Sequence, residues 1–211
     1  MLEDNKSYLK DLNEAQLNAV LKTDGPSMVI AGAGSGKTRV LTYKIVHLVE
    51  NGVDPFEILA LTFTNKAARE MKLRISSMIG ESESKNIWMG TFHSVFAKIL
   101  RFEAHKIGFT SDFTIYDTQD SERLISSIIK EKALDKDVYR PKSIRNRISS
   151  LKNNFITVNG YFANNELVES DNLSRKPETG NIYKEYSERL IKSNSMDFDD
   201  LLMKTNELLN N

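Results

Sequence analysis

Lys37 and Thr38 close the run Met28-Val-Ile-Ala-Gly-Ala-Gly-Ser-Gly-Lys-Thr38. That order of residue types suits one task, the holding of a phosphate chain. Glycines 32, 34 and 36 let backbone N–H groups curl around phosphate oxygens without Cβ clashes. A lysine after the last glycine reaches the β- and γ-phosphates, and the next hydroxyl, here Thr38, holds Mg²⁺. Ala31, Gly32, Ala33, Gly34, Ser35 and Gly36 are therefore a candidate nucleotide cradle, with Lys37 and Thr38 as its catalytic pair. One residue departs from the pattern G-x-x-x-x-G-K-[ST]: its first glycine is Ala31. The competing reading is a glycine turn with a lysine beyond it. The apolar run before the turn and the amphipathic run Arg39–Glu50 after it argue against that reading.

Three further constellations carry chemistry. Asn13 and Gln16 have the spacing of a variant capping box, and a Gln amide also offers the donor and acceptor that adenine requires. The two roles are compatible. Leu61-Thr-Phe-Thr-Asn-Lys-Ala-Ala68 places Phe63, Thr64, Asn65 and Lys66 where an apolar strand gives way to a helix, and Gly90-Thr-Phe-His-Ser94 does the same with Thr91, Phe92 and His93. Each turn alone also fits a helix cap, a solvated lysine or a core ring. Together they offer hydroxyls, amides and rings along one rim, which suits single-stranded nucleic acid. Residues 139–155 carry Arg140, Lys142, Arg145, Arg147 and Lys152 with no acid, either a solvated helix face or a patch that tracks phosphates.

The elements that position these residues follow from periodicity. A polar, mobile start over residues 1–10 leads into a short helix carrying Leu17, Val20 and Leu21. Met28–Ala31, Glu57–Phe63 and Ile87–Phe92 read as strands, the second buried on both faces, and each is followed by a helix. Ser76–Lys85 reads as a loop. This alternation argues an α/β parallel sheet with helices on both faces and ligands at the strand C-terminal ends. Beyond Phe113–Asp117 the chain turns mostly helical, with Pro141 at a first-turn position and helices around 160–168 and 182–191. A last amphipathic helix spans Asp197–Leu209. Asp197, Asp199 and Asp200 do not read as a metal site, because Lys192–Met196 ahead of them does not form an apolar strand. Asp197 instead reads as a helix start, where the dipole favours acids.

Composition sets outer bounds. The 211 residues hold 29 Lys+Arg against 29 Asp+Glu, so polyanion binding needs a local patch. No cysteine is present, which excludes disulfides and thiolate metal sites and fits a reducing cytoplasm. His47, His93 and His105 are too scattered for a metal cluster, and no apolar run approaches a membrane span.

Five segments in order, Leu12–Gln16, Ala31–Thr38, Leu61–Ala68, Gly90–Ser94 and Met196-Asp-Phe-Asp-Asp-Leu-Leu202, closely resemble the N-terminal part of the UvrD/Rep/PcrA group of superfamily 1 DNA helicases. That group tolerates Ala at the position of Ala31. The resemblance implies a RecA-like first lobe over 1–110, a helical accessory subdomain over 111–190, and a return to the lobe over 191–211. It implies ATP and Mg²⁺ as ligands, Gln16 on adenine and Arg39 beside the nucleotide. Phe63–Lys66 and Thr91–His93 would line a single-stranded DNA path, with single-strand/double-strand junctions as substrates. The parent activity would be ATP-driven 3′-to-5′ translocation. It further implies that a Walker-B Asp-Glu pair and a second lobe supplying arginines are needed and stand outside this sequence, so that the chain alone would neither hydrolyse ATP nor unwind. Another P-loop NTPase, or a non-catalytic nucleotide- or DNA-binding module, is the alternative.

Overall fold

The computed structural model of the chain describes residues 7–210. Of the polar start, residues 1–6 lie outside the described residues, and Ser7–Asp11 is a turn of 3₁₀ helix. The chain divides into two compact units, 1–95 and 96–211.

In the first unit, α1 (Glu14–Leu21) and α2 (Lys37–Glu50) precede β1 (Leu59–Thr62), α3 (Asn65–Ile79), α4 (Glu81–Ser84), β2 (Trp88–Thr91) and the start of α5 (Phe92–Glu103). Strands β1 and β2 pair in parallel, Leu59 opposite Trp88 and Thr62 opposite Thr91. Ile45 from α2, Ile58 and Ala60 at β1, Met71 and Ile75 from α3, and Ile87 before β2 form one buried cluster. That cluster fixes the phosphate-loop helix and both strand-to-helix turns on a common core. Asn51 ends α2, and Gly52, at φ +88°, turns the chain out of it.

Three sequence expectations are corrected here. Met28–Ala31 joins no ladder: the described strands pair only with one another, and Met28 and Ile30 are 84% and 89% exposed. An apolar run becomes a strand only where neighbouring backbone accepts its hydrogen bonds, and none does so here. Strand β1 is not buried on both faces. Ile58 and Ala60 are buried while Leu59 is half exposed, the alternation of a strand covered on one side. Residues 76–85 are not a loop, because α3 runs on to Ile79 and α4 follows after Gly80 at φ +88°.

In the second unit, β3 (Thr114–Tyr116) pairs in parallel with β4 (Ser195–Asp197), Tyr116 opposite Asp197. Between them lie α6 (Thr118–Glu131), α7 (Pro141–Asn153), α8 (Val158–Ala163), α9 (Asn165–Leu173) and α10 (Thr179–Lys192), and α11 (Phe198–Asn210) follows. Pro141 does occupy the first turn of α7. The region expected as one helix around 160–168 is two, separated by Asn164, whose side chain caps α9. The core gathers Ile125, Ile128, Ile144, Ile148 and Ile182 around the buried rings of Tyr161, Tyr183 and Tyr186. Each phenol has an acceptor: Asp171 for Tyr161 (2.9 Å), the Ile156 carbonyl for Tyr183 (3.0 Å) and Asp197 for Tyr186 (2.9 Å). Gly180 lies so close to Tyr161 that a Cβ there would sit 2.3 Å from the ring.

Candidate nucleotide site and nucleic-acid rim

The phosphate loop is an exposed turn delivered to the N-terminus of α2. Gly34 and Gly36 take φ +78° and +87°, conformations that L side chains rarely adopt, and Gly36 is the residue preceding the helix. The Ser35 hydroxyl donates to the Gly32 carbonyl (2.7 Å). The Lys37 ammonium donates to the carbonyls of Gly32 (2.7 Å) and Ala31 (3.1 Å). Lys37 therefore lies folded over the loop, its charge met by neutral carbonyls. Ala31 and Gly36 are partly covered, while Gly32, Ala33, Gly34, Ser35, Lys37, Thr38 and Arg39 are exposed. A helix N-terminus with an exposed ammonium above it and glycines at left-handed φ is chemically suited to a phosphate chain. Thr38 lies in the first turn of α2.

Of the two roles read for Gln16, the structure shows the capping one. Asn13 accepts from the Gln16 N–H (2.9 Å) and Gln16 Oε1 accepts from the Asn13 N–H (3.2 Å), a complete capping box. Its Nε2 donates to the Ser35 carbonyl (3.0 Å), and a Cβ added to Gly36 would stand 2.7 Å from that nitrogen. The amide thus rests against the loop itself. The Lys44 ammonium holds α1 in register with α2 by donating to the carbonyls of Lys22 (2.5 Å) and Ala19 (3.4 Å), the favourable end of the α1 dipole.

Sequence reasoning missed Tyr43. The Arg39 guanidinium lies 5.6 Å from the Tyr43 ring centroid, and Tyr8 packs against the same ring at 6.3 Å. The Tyr43 hydroxyl donates to Asp11 (3.3 Å). These residues, with Arg74, Ser77 and Met78, line a hollow of about 500 Å³. The four-residue spacing of Arg39 and Tyr43 on α2 was the available signal.

At the rim, Thr64 rather than Asn65 caps α3, its hydroxyl accepting from the Ala67 N–H (3.1 Å). Thr91 is buried and its hydroxyl accepts from the Ser94 N–H (3.3 Å), which starts α5. Phe63, 90% exposed, and Phe92 bring their ring centroids to 5.5 Å at 41°. The two turns, 29 residues apart in sequence, therefore meet in one aromatic pair. Asn65 and Lys66 are exposed on the first turn of α3, and His93 is partly buried on α5.

The basic run does not behave as one surface. Three of its five cations pair with acids from distant elements: Arg145 with Glu122 (3.1 Å), Arg147 with Asp171 (3.1 Å), and Lys152 with Asp197 (2.8 Å) and Asp200 (2.7 Å). Lys152 is buried, Arg145 and Arg147 are partly exposed beside their carboxylates, and Arg140 and Lys142 are exposed. Asp197 and Asp200 also cap α11 reciprocally, each accepting the other's N–H (2.8 and 3.2 Å). Asp197 begins that helix as expected, although a short strand does precede it. Burial pushes Asp200 up to about 6. At Asp197 burial pushes the same way, but the Lys152 ammonium outweighs it and holds the carboxyl below its ordinary value. With Lys152 between them these carboxylates are not open to a metal, and no cluster suited to one occurs among the described residues. No helix among them is long and apolar enough to cross a membrane.

A sequence model described as UvrD/REP helicase N-terminal domain matches residues 12–211. The chain belongs to that family. It is 44% identical over 207 residues to the ATP-dependent DNA helicase PcrA of Bacillus subtilis, covering 95% of this chain and 26% of that protein. The PcrA proteins of Leuconostoc citreum (42% over 198 residues) and Staphylococcus epidermidis (41% over 200) align over 93% and 94% of the chain and 26% of their own length. The chain thus spans about a quarter of the length of the curated relatives it matches. Membership supports a mixed α/β N-terminal domain of an ATP-dependent DNA helicase family. The full RecA-like sheet expected from the sequence is not present among the described residues, where the strands form two parallel pairs.

Proposed function

We propose that this chain is the ATP-binding N-terminal portion of a cytoplasmic 3′-to-5′ DNA helicase that translocates on single-stranded DNA. In this reading residues 1–110 belong to a RecA-like lobe, 111–190 to a helical accessory subdomain and 191–211 to the returning lobe. The observation that carries it is the loop geometry: Lys37 is held by the carbonyls of Ala31 and Gly32 at a helix N-terminus, with the Gln16 amide against the same loop. Bound Mg²⁺–ATP supplies the transferable phosphoryl group. Backbone N–H groups of residues 32–38 and Lys37 bind and orient the phosphates, Thr38 holds the metal, and Gln16 and Arg39 select the base and its surroundings. Phe63 and Phe92 offer a stacking platform for bases, with Thr64, Asn65, Lys66, Thr91 and His93 beside it.

The loop N–H groups and Lys37 position phosphate without supplying an in-line water or a charge-stabilising arginine. The 211-residue chain alone therefore binds nucleotide but neither hydrolyses it nor unwinds DNA. The rim is tested in the longer protein by Phe63→Ala. Because Phe63 is 90% exposed, the expected result is a loss of single-stranded DNA affinity of about tenfold with thermal stability nearly unchanged. Unchanged DNA affinity would remove the translocation track and leave another P-loop NTPase.

A further inference from the structure

The second unit contains a polar hollow of about 270 Å³ between α7, α9 and the turn into α10, and none of its residues belongs to the nucleotide site. Ser143 and Arg147 come from α7, Ser170 from α9, and Ser174, Lys176 and Thr179 from the turn and the start of α10. Arg147 uses its Nε on both oxygens of Asp171 (3.1 and 3.2 Å), while its Nη2 is buried with no acceptor. A buried charged donor without an acceptor is costly and calls for an explanation. Lys176 donates to the Ser143 hydroxyl (3.0 Å) and has no carboxylate partner among the described residues. The one acid in the wall, Asp171, already accepts from Arg147 and from the Tyr161 hydroxyl. Two cations face one such carboxylate, so the hollow keeps a net positive charge. Ile144 is its sole apolar lining residue, which leaves nothing to recognise a base or a hydrocarbon.

We propose that this hollow is a phosphate-binding subsite. It takes a single tetrahedral oxyanion through Arg147, Lys176 and the hydroxyls of Ser143, Ser170 and Ser174. The group is presented either as a nucleic-acid backbone phosphodiester or as a free phosphate. Since these residues lie wholly in the second unit, the proposal stands or falls independently of the nucleotide reading.

The test is residue-resolved NMR of the 211-residue chain in the Lys37→Ala background, which removes the loop as a phosphate site. Inorganic phosphate, titrated against chloride at equal ionic strength, is expected to shift the Ser174, Lys176 and Thr179 amides saturably. Lys176→Ala, which changes a half-buried side chain, is expected to weaken that binding about tenfold. Ser143→Ala serves as a second, milder variant. A single-stranded oligothymidylate that moves the same amides identifies the backbone as the source, and movement by inorganic phosphate alone identifies a free anion. No movement by either, or movement indifferent to Lys176→Ala and Ser143→Ala, overturns the proposal.

Discussion

Lys37 of the first unit and Lys152 of the second have opposite surroundings. Lys37 is exposed and held by two neutral carbonyls, which in the proposed reading it exchanges for phosphate oxygens. Lys152 is 3% exposed, with carboxylates at 2.7 and 2.8 Å and the Tyr186 ring 5.2 Å away. A cation that must change partners is left in a high-dielectric setting, whereas a cation that fixes a register is taken out of water and given charged partners. The glycines repeat the contrast. Gly36 is required by its left-handed backbone beside an open loop, and Gly180 by the ring packed against it.

The largest effect should come from Lys152→Ala. It strands two buried carboxylates and is expected to cost about 3–5 kcal/mol. Hydrogen exchange should show the second unit opening while amides of α2 and α3 keep their protection; equal loss in both units would break the contrast.

Alkaline pH probes the same cluster. Burial pushes Tyr183 up to about 12 and raises Tyr186 further, and at Lys152 the two carboxylates outweigh burial and raise the ammonium. The folded state thus keeps protons that the unfolded chain releases, near 10.0 for tyrosine and 10.5 for lysine. Their stabilisation is complete below those values and is lost as pH rises through the folded ones. Urea titrations between pH 9 and 11.5 (roughly the window spanning those ordinary values) should show stability falling only above about pH 10. A flat profile would mean the cluster is open to water.

In the first unit, Gly36→Ala imposes a side chain at φ +87° and crowds the Gln16 amide. Roughly 1–2 kcal/mol of backbone strain is expected, read as a tenfold or greater loss of nucleotide affinity by fluorescent-analogue titration. Asn13→Ala removes one half of the capping box and should cost about 1 kcal/mol in the thermal transition, with a few-fold loss of nucleotide affinity as Gln16 loosens. Nucleotide affinity untouched by that variant would confine Gln16 to capping.

What the sequence revealed and what it hid divide along the same line. The loop, the Asn13–Gln16 box, the Thr64 cap and the position of Pro141 rest on neighbours within a few residues, and local pattern suffices for these. The fate of the basic run depends on acids 23 to 48 positions away, from Arg145–Glu122 to Lys152–Asp200, and no local rule sees them. Strand β4 was missed because three residues in a polar setting carry too little periodicity. Met28–Ala31 was read as a strand from its apolar run and its place ahead of the glycine loop, although a strand exists only with a ladder partner. At the candidate site, pattern named the loop and the two turns. The aromatic contact of Phe63 with Phe92, and the hollow beside Arg39 and Tyr43, needed the fold.

The most direct test of the central claim measures nucleotide binding and ATP turnover together on the purified chain, with and without single-stranded DNA, for the native sequence and Lys37→Ala. The expected result is nucleotide binding that Lys37→Ala abolishes, with no DNA-stimulated turnover in either. Turnover by the native chain that Lys37→Ala removes would contradict it, as would binding indifferent to that change.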